Sequence, residues 1–311
     1  MESHGRTGTV RPAYVVFAVA VALVSALKPA QGQAEFSEWS LPVNLGAPVN
    51  TPGTEVGPHI SKNGWSLLHL RSFDIFVSQR ATVDDAWGVR QSLGASINTT
   101  FNEASPRLSL DEHILLFASD RPGGFGGYDL YLSRRHNRRD DLGWRLPANL
   151  GDGVNTAADE LQAALFEDDA TGIITVYFTS NRPGGPGGDD IYASILQPDE
   201  TLGPAVLVGE LSTPANDSTP FIRRDGLEMF LTSDRPGTLG GLDLWVSTRA
   251  TTADPWSAPV NLGPPVNTGA MDAGCALSFD GTELYFSSNR SGGFGSRDLY
   301  RTTRTKLGGI E

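Results

Sequence analysis

The chain repeats itself five times, and that repetition limits what it can fold into. Four segments read SDRPGGFGGYDLY (119–131), SNRPGGPGGDDIY (180–192), SDRPGTLGGLDLW (233–245) and SNRSGGFGSRDLY (288–300), and a shortened fifth reads HLRSFDIF (69–76). The aspartate before each final hydrophobic pair is Asp74, Asp129, Asp190, Asp243 and Asp298, at successive separations of 55, 61, 53 and 55 residues. A short apolar strand precedes every copy, at 66–68, 114–118, 176–179, 228–231 and 284–287. Ahead of that strand lies a tight turn such as Asn63-Gly64, Asp111-Glu112, Asp225-Gly226 or Asp280-Gly281. Asn-Gly and Asp-Gly tolerate the positive φ of a two-residue hairpin. After each copy comes a segment of the type WxxPxNLG, at 39–46, 87–94, 144–151 and 256–263, with a Trp-free version at 202–209. Each unit therefore predicts four short strands, A to D, with no helical period between them.

Four-stranded units at this spacing predict an all-β fold, a β-propeller whose blades pack around a channel. One blade cannot bury both faces of its own sheet, so neighbours must do it. The first D-type segment (39–46) precedes the first A strand, and no D segment follows the last C strand. The expectation is a five-bladed ring closed by the N-terminal strand, which completes the last blade and removes an open edge. A single domain over 35–311 follows.

The first 34 residues read differently. Arg6 and Arg11 precede an apolar run from Val15 to Leu27, and Gly32-Gln33-Ala34 offers a small-residue exit. That is the pattern of a secretory signal peptide, and the run falls short of the about 20 residues a membrane span needs. Residues 1–34 are read as this signal and the domain as periplasmic or secreted, with membrane contact only if the segment stays uncleaved. The lone Cys275 can form no internal disulfide. The formal charge of −12 argues against a phosphate-tracking surface, so no nucleic acid partner is expected. Neither a metal nor a cofactor is expected, since no His/Cys/Asp set has ligand spacing and the Gly-rich loops lack the Lys-Ser/Thr and following helix of a phosphate cradle.

The pattern Ser-x-Asp-Gly, apolar strand, Ser-Asn/Asp-Arg, Asp-Leu/Ile-Tyr resembles the TolB-type, WD-like β-propeller repeat family of bacterial envelope proteins. The likeness runs over residues 39–304 and departs from TolB itself in the count of five. It implies a non-catalytic, monomeric binding or scaffold module of the cell envelope, holding a protein, peptide or glycan. The alternative is a carbohydrate-active enzyme that uses two carboxylates at the channel rim.

Chain direction places the B–C and D–A loops on one face, the top. The D–A loops bring Glu55, Glu103, Glu160, Asp217 and Asp272 there, and the B–C loops bring Arg71, Arg121, Arg182, Arg235 and Arg290. Either the acids form a ligand-binding funnel or each pairs with a loop arginine and fastens blade to blade. Asp129, Asp190, Asp243 and Asp298 are read as acceptors for the amides of their glycine-rich loops. Symmetry breaks in the first blade, whose shortened loop is expected to leave His69, Arg71, Ser72 and Phe73 beside a notch where a ligand could enter. It breaks again at Trp65 and at the basic run 134–139 on the bottom face.

Overall fold

In Ile114–Ser119 the residues Leu115, Leu116, Phe117 and Ala118 are all buried, although successive side chains on a strand point to opposite faces. A strand apolar on both faces needs cover on both sides. The computed structural model, which describes residues 35–197 and 201–307, shows where that cover comes from. Leu115 and Phe117 pack against Leu68, Leu70, Ile75 and Val77 of the blade before, while Leu116 and Ala118 pack against Val176 and Phe178 of the blade after. Three further clusters repeat the arrangement at the remaining seams, and the last of them joins Ile60 and Leu67 to Tyr285 and Leu299. Each fully buried side chain of this size is worth about 1.5–3 kcal/mol of transfer free energy. The core is thus five seams between sheets, arranged as a ring.

Five four-stranded antiparallel sheets result. Their A, B, C and D strands are Glu55–Ile60, Ser66–Arg71, Asp74–Gln79 and Gln91–Ser92 in blade 1, and Glu103–Leu108, Ile114–Ser119, Asp129–Arg134 and Ala148–Asn149 in blade 2. Blade 3 holds Glu160–Glu167, Ile174–Ser180, Asp190–Ile195 and Val206–Leu207, and blade 4 holds Asp217–Ile222, Glu228–Ser233, Asp243–Thr248 and Val260–Asn261. Blade 5 takes Asp272–Leu277, Glu283–Ser288 and Asp298–Thr303 from the end of the chain and Val43–Asn44 from its beginning. Val43 stands opposite Arg301 and Asn44 opposite Tyr300, so the expected closure is present. No helix occurs among the described residues. The segment read as a signal, 1–34, lies outside the described residues.

The tryptophans sit elsewhere than expected. The D strands are only two residues long, and Trp39, Trp87, Trp144 and Trp256 lie before them, the last three in the C–D connection. There each ring takes an arginine guanidinium over its face: Arg304 on Trp39, Arg80 on Trp87, Arg135 on Trp144 and Arg249 on Trp256. Packing still explains them, with a cation–π contact added.

An amide staple went unread in the sequence. Asn50, Asn98, Asn155 and Asn267 each bond both the N–H and the C=O of the residue after the repeat aspartate, as Asn155 does to Leu130 at 2.8 and 3.0 Å. Ser212 takes the place in blade 3, bonding Ile191. The side chain stands in for one more residue of D strand.

Blade 1 turns from strand B to strand C with two residues, Ser72 (φ 51°) and Phe73 (φ 63°). Such a turn favours Asn-Gly because both residues are left-handed. A bulky residue there costs roughly 1–2 kcal/mol. The double change Ser72→Asn, Phe73→Gly is expected to raise unfolding free energy by about 1–2 kcal/mol in chemical denaturation. An unchanged midpoint would mean that the turn is not strained.

Candidate functional site

Strand A of each blade begins at the top with its acid, and the ladder places that acid opposite the last residue of strand B, as Glu103 stands opposite Ser119. In blades 2 to 5 the loop arginine comes two residues beyond that partner, whereas in blade 1 the partner of Glu55 is Arg71 itself. The five acids are fully buried. Glu103–Arg121 and Glu160–Arg182 close at 3.0 Å, Asp217–Arg235 at 2.5 Å, Asp272–Arg290 at 2.6 Å and Glu55–Arg71 at 3.3 Å. A threonine four residues earlier, which sequence reasoning missed, gives each acid its amide and its hydroxyl: Thr51, Thr99, Thr156, Thr213 and Thr268. The carboxylates therefore face protein donors. The pair lies within one blade, since A and B are neighbours in the same sheet. It also grips the incoming D–A segment, because Arg121 donates to Ile97 O and Arg235 to Leu211 O.

Blade is fastened to blade by backbone instead. The carbonyl of the residue just before each repeat aspartate accepts the first amide of strand A in the next blade: Phe73 O from Glu103, Tyr128 O from Glu160, Asp189 O from Asp217, Leu242 O from Asp272 and Arg297 O from Glu55. The glycine-rich loops add to this seam. A Cβ on Gly240 would lie 1.8 Å from Ala270 O, and one on Gly295 2.0 Å from Gly53 O, so only glycine admits the next blade's D–A loop. The repeat aspartates accept loop amides, as Asp129 does from Phe125 at 2.6 Å and Asp243 from Leu239 at 2.7 Å; Asp190 accepts from Gly187 and Asp298 from Phe294.

Phe73, Tyr128, Asp189, Leu242 and Arg297 thus occupy one position in the five blades, at the inner top edge, with five different side chains. Sequence reasoning named only Phe73 of these. Asp189 accepts no hydrogen bond on its carboxylate among the described residues. Partial burial, and then the charges of Asp159, Asp190 and Asp234, raise its pKa above the ordinary carboxylate value. Asp159 accepts the Tyr128 amide and Asn181, and Asp234 accepts both nitrogens of Asn216.

Below this edge the channel opens into a cavity of about 160 Å³ lined by Leu242, Arg297, Arg107, Gln162, Thr219, Ser105 and other small residues, with no carboxylate. Each A strand carries a bulge here that turns one residue left-handed: Gly57, Ser105, Gln162, Thr219 and Gly274. Among the described residues no group of three or more His, Cys, Asp and Glu could hold a metal ion.

The notch expected in blade 1 takes a different form. His69 lies inside the sheet, fully buried and stacked on Phe76, with burial holding its pKa down to about 4. Its place in the middle of strand B points it into the seam, so it does not reach the rim. Arg71 pairs with Glu55 but stays 34% exposed, and Phe73 is 63% exposed at the mouth. On the bottom face, Trp65 and Arg138 and Arg139 of the basic run line one groove, while Arg135 is buried against Asp141 and Trp144. Cys275 is buried and free, and burial pushes its thiol up to about 12.

No protein-family model matches the chain, and no curated protein sequence does either. Solved structures do. An α-L-arabinofuranosidase from Lactobacillus brevis matches with a TM-score of 0.60 at 16% identity, over 83% of this chain and 92% of that one. A thermostable family-43 glycoside hydrolase matches at 0.58 and 15% identity, over 85% and 93%. An α-L-arabinofuranosidase from Podospora anserina, solved with cellotriose, matches at 0.54 and 12%, over 87% and 98%. At such identities the likeness establishes the fold, the five-bladed propeller. It also corrects the expectation of a non-catalytic envelope scaffold: the structural neighbours are mostly glycoside hydrolases, and the TolB-type family is not established.

Proposed function

We propose that the protein acts on carbohydrate at the upper mouth of its channel, with Asp189 as the proton donor to the leaving group. The observation that carries this reading is the state of Asp189, an acid at a non-repeated position, its carboxylate without a hydrogen bond among the described residues and its pKa raised. A general acid has to keep its proton near working pH and remain within reach of substrate. The five repeated acids are buried against arginines, out of a substrate's reach. In the proposed step the glycosidic C–O bond breaks, the leaving oxygen takes the Asp189 proton, and water adds to the anomeric carbon and returns a proton to Asp189. Asp159 and Asp234 supply fixed carboxylates beside the donor, which suit the oxocarbenium-like charge that develops. Phe73, exposed on a strained turn at the same edge, offers a flat apolar surface to a sugar ring.

The resemblance in fold to α-L-arabinofuranosidases and a family-43 glycoside hydrolase makes plant-type polysaccharide side chains the first substrates to try. Chromatography of sugars released from arabinoxylan, xylo-oligosaccharides and acidic plant polysaccharides tests the reading, with Asp189→Asn in parallel. Release by the parent and not by the variant is expected. Release from none of them, or equal release by both proteins, sinks it.

A further inference from the structure

Five arginines on the top face have buried carboxylate partners, so pairing is this chain's ordinary treatment of a guanidinium. Arg107 and Arg297, both at the channel, depart from it. Arg107 lies midway down strand A of blade 2, only 3% exposed, at a position held by His59, Ala164, Phe221 and Ala276 in the other blades. Its guanidinium reaches across the channel, donating through Nη1 to Pro58 O (3.0 Å) and Pro106 O (3.1 Å) and through Nη2 to Cys275 O (3.2 Å). Its Nε–H has no acceptor among the described residues. Arg297, from the edge position of blade 5, lines the same upper cavity, and no carboxylate pairs with it among the described residues. Burial alone lowers its pKa. For Arg107 burial is likewise the dominant cause and brings the pKa to about 10.

An arginine buried without a counter-ion is costly, and on a chain of net charge −12 acids to pair with are plentiful. The cavity nevertheless excludes them. Its polar lining is two guanidiniums, the Gln162 amide and hydroxyls including that of Ser105, a set able to donate hydrogen bonds to an anion. At about 160 Å³ it falls below the ~300–1,000 Å³ of pockets for larger ligands, so it suits one terminal residue of a chain.

We infer that the upper cavity is a carboxylate-binding subsite, formed by Arg107 and Arg297, that selects glycans ending in a uronic acid. The inference rests on the carbohydrate reading and deepens it: the uronate carboxylate is held below, and the rest of the sugar lies at the mouth beside Asp189.

Isothermal titration calorimetry with D-galacturonic and D-glucuronic acid tests this without requiring turnover. D-galactose, D-glucose and acetate serve as comparisons, on the parent and on Arg297→Gln. A uronic acid is expected to bind, the neutral sugars and acetate to bind at least tenfold more weakly, and R297Q to weaken the uronate by about 10- to 100-fold, the size of one charge-assisted hydrogen bond. Arg107 bridges three blades, so R297Q carries the test if an Arg107 variant does not fold. Equal binding of neutral and acidic sugars, acetate binding as tight as uronate, no effect of R297Q, or no binding at all each overturns the subsite. Glycan cleavage that needs Asp189 but shows no uronate preference sinks this inference alone. Uronate binding by a protein that cleaves nothing sinks the hydrolytic reading and leaves the subsite.

Discussion

Replacing Asp189 with Asn should lower the rate of glycan cleavage by about 10²–10⁴, the usual contribution of a positioned acid, while raising the melting temperature at neutral pH. The two halves of this expectation have one cause. In the folded protein Asp189 is partly desolvated and faces the charges of Asp159, Asp190 and Asp234, so its pKa stands above the ordinary 3.8. The folded state then holds this proton more tightly than the unfolded state does. Stability contributed by this group is therefore unaffected well below pH 3.8, falls as pH rises from there to the folded pKa, and stays lowered above it. Asparagine removes the penalty and the proton together. The stabilisation from D189N should vanish in scans well below pH 3.8, and the parent's rate should decline as pH rises through the raised pKa. Substrates with good leaving groups, such as nitrophenyl glycosides, should lose less, because they need less help from an acid. A variant that is inactive and also less stable would assign Asp189 to the architecture.

Asp217→Ala is expected to lower the unfolding free energy by about 3–5 kcal/mol, the range for breaking a buried ion pair from one side. Asp217 is fully buried, and its Oδ1 accepts both Nε and Nη2 of Arg235, whose side chain is 8% exposed. Its carboxylate also accepts Ser233 Oγ and both donors of Thr213. Alanine strands the guanidinium and the threonine donors together. Arg235 keeps only the Leu211 carbonyl and Ser233 Oγ. Removing both charges, as in Asp217→Ala with Arg235→Met, should recover much of the loss, since an apolar pair of similar volume avoids the desolvation cost. The matching change at Glu55 should cost less, because Arg71 is 34% exposed and water can solvate it. Urea denaturation of the three variants decides this. Equal losses at Glu55 and Asp217 would mean that burial is not the source of the energy.

The ring was legible in the sequence because every blade performs the same physical tasks with the same residues. Each needs an apolar strand covered on both sides, and blades 2 to 5 add an aspartate that caps the loop and a glycine where a Cβ would meet the next blade's backbone carbonyl, at 2.0 Å for Gly295. Even the closure could be read, from one D segment without an A strand before it. The mouth was not legible for the converse reason. The residue before each repeat aspartate varies from Phe73 to Arg297, and a search for likeness passes over variation. Its importance depends on a backbone hydrogen bond that spans blades, which no spacing reveals. Arg107 was hidden by its surroundings: inside a short strand it reads as an outward polar residue, and only the ring turns it towards the axis.

That edge position gives its backbone carbonyl to the adjoining blade and asks nothing of its side chain. Fastening is thereby carried by the backbone, and the proposed recognition by the side chain, of the same residue. Phe73, Tyr128, Asp189, Leu242 and Arg297 can each be rewritten while every seam keeps its bond. A family built on this ring is free to change what it admits without renegotiating how it stands up.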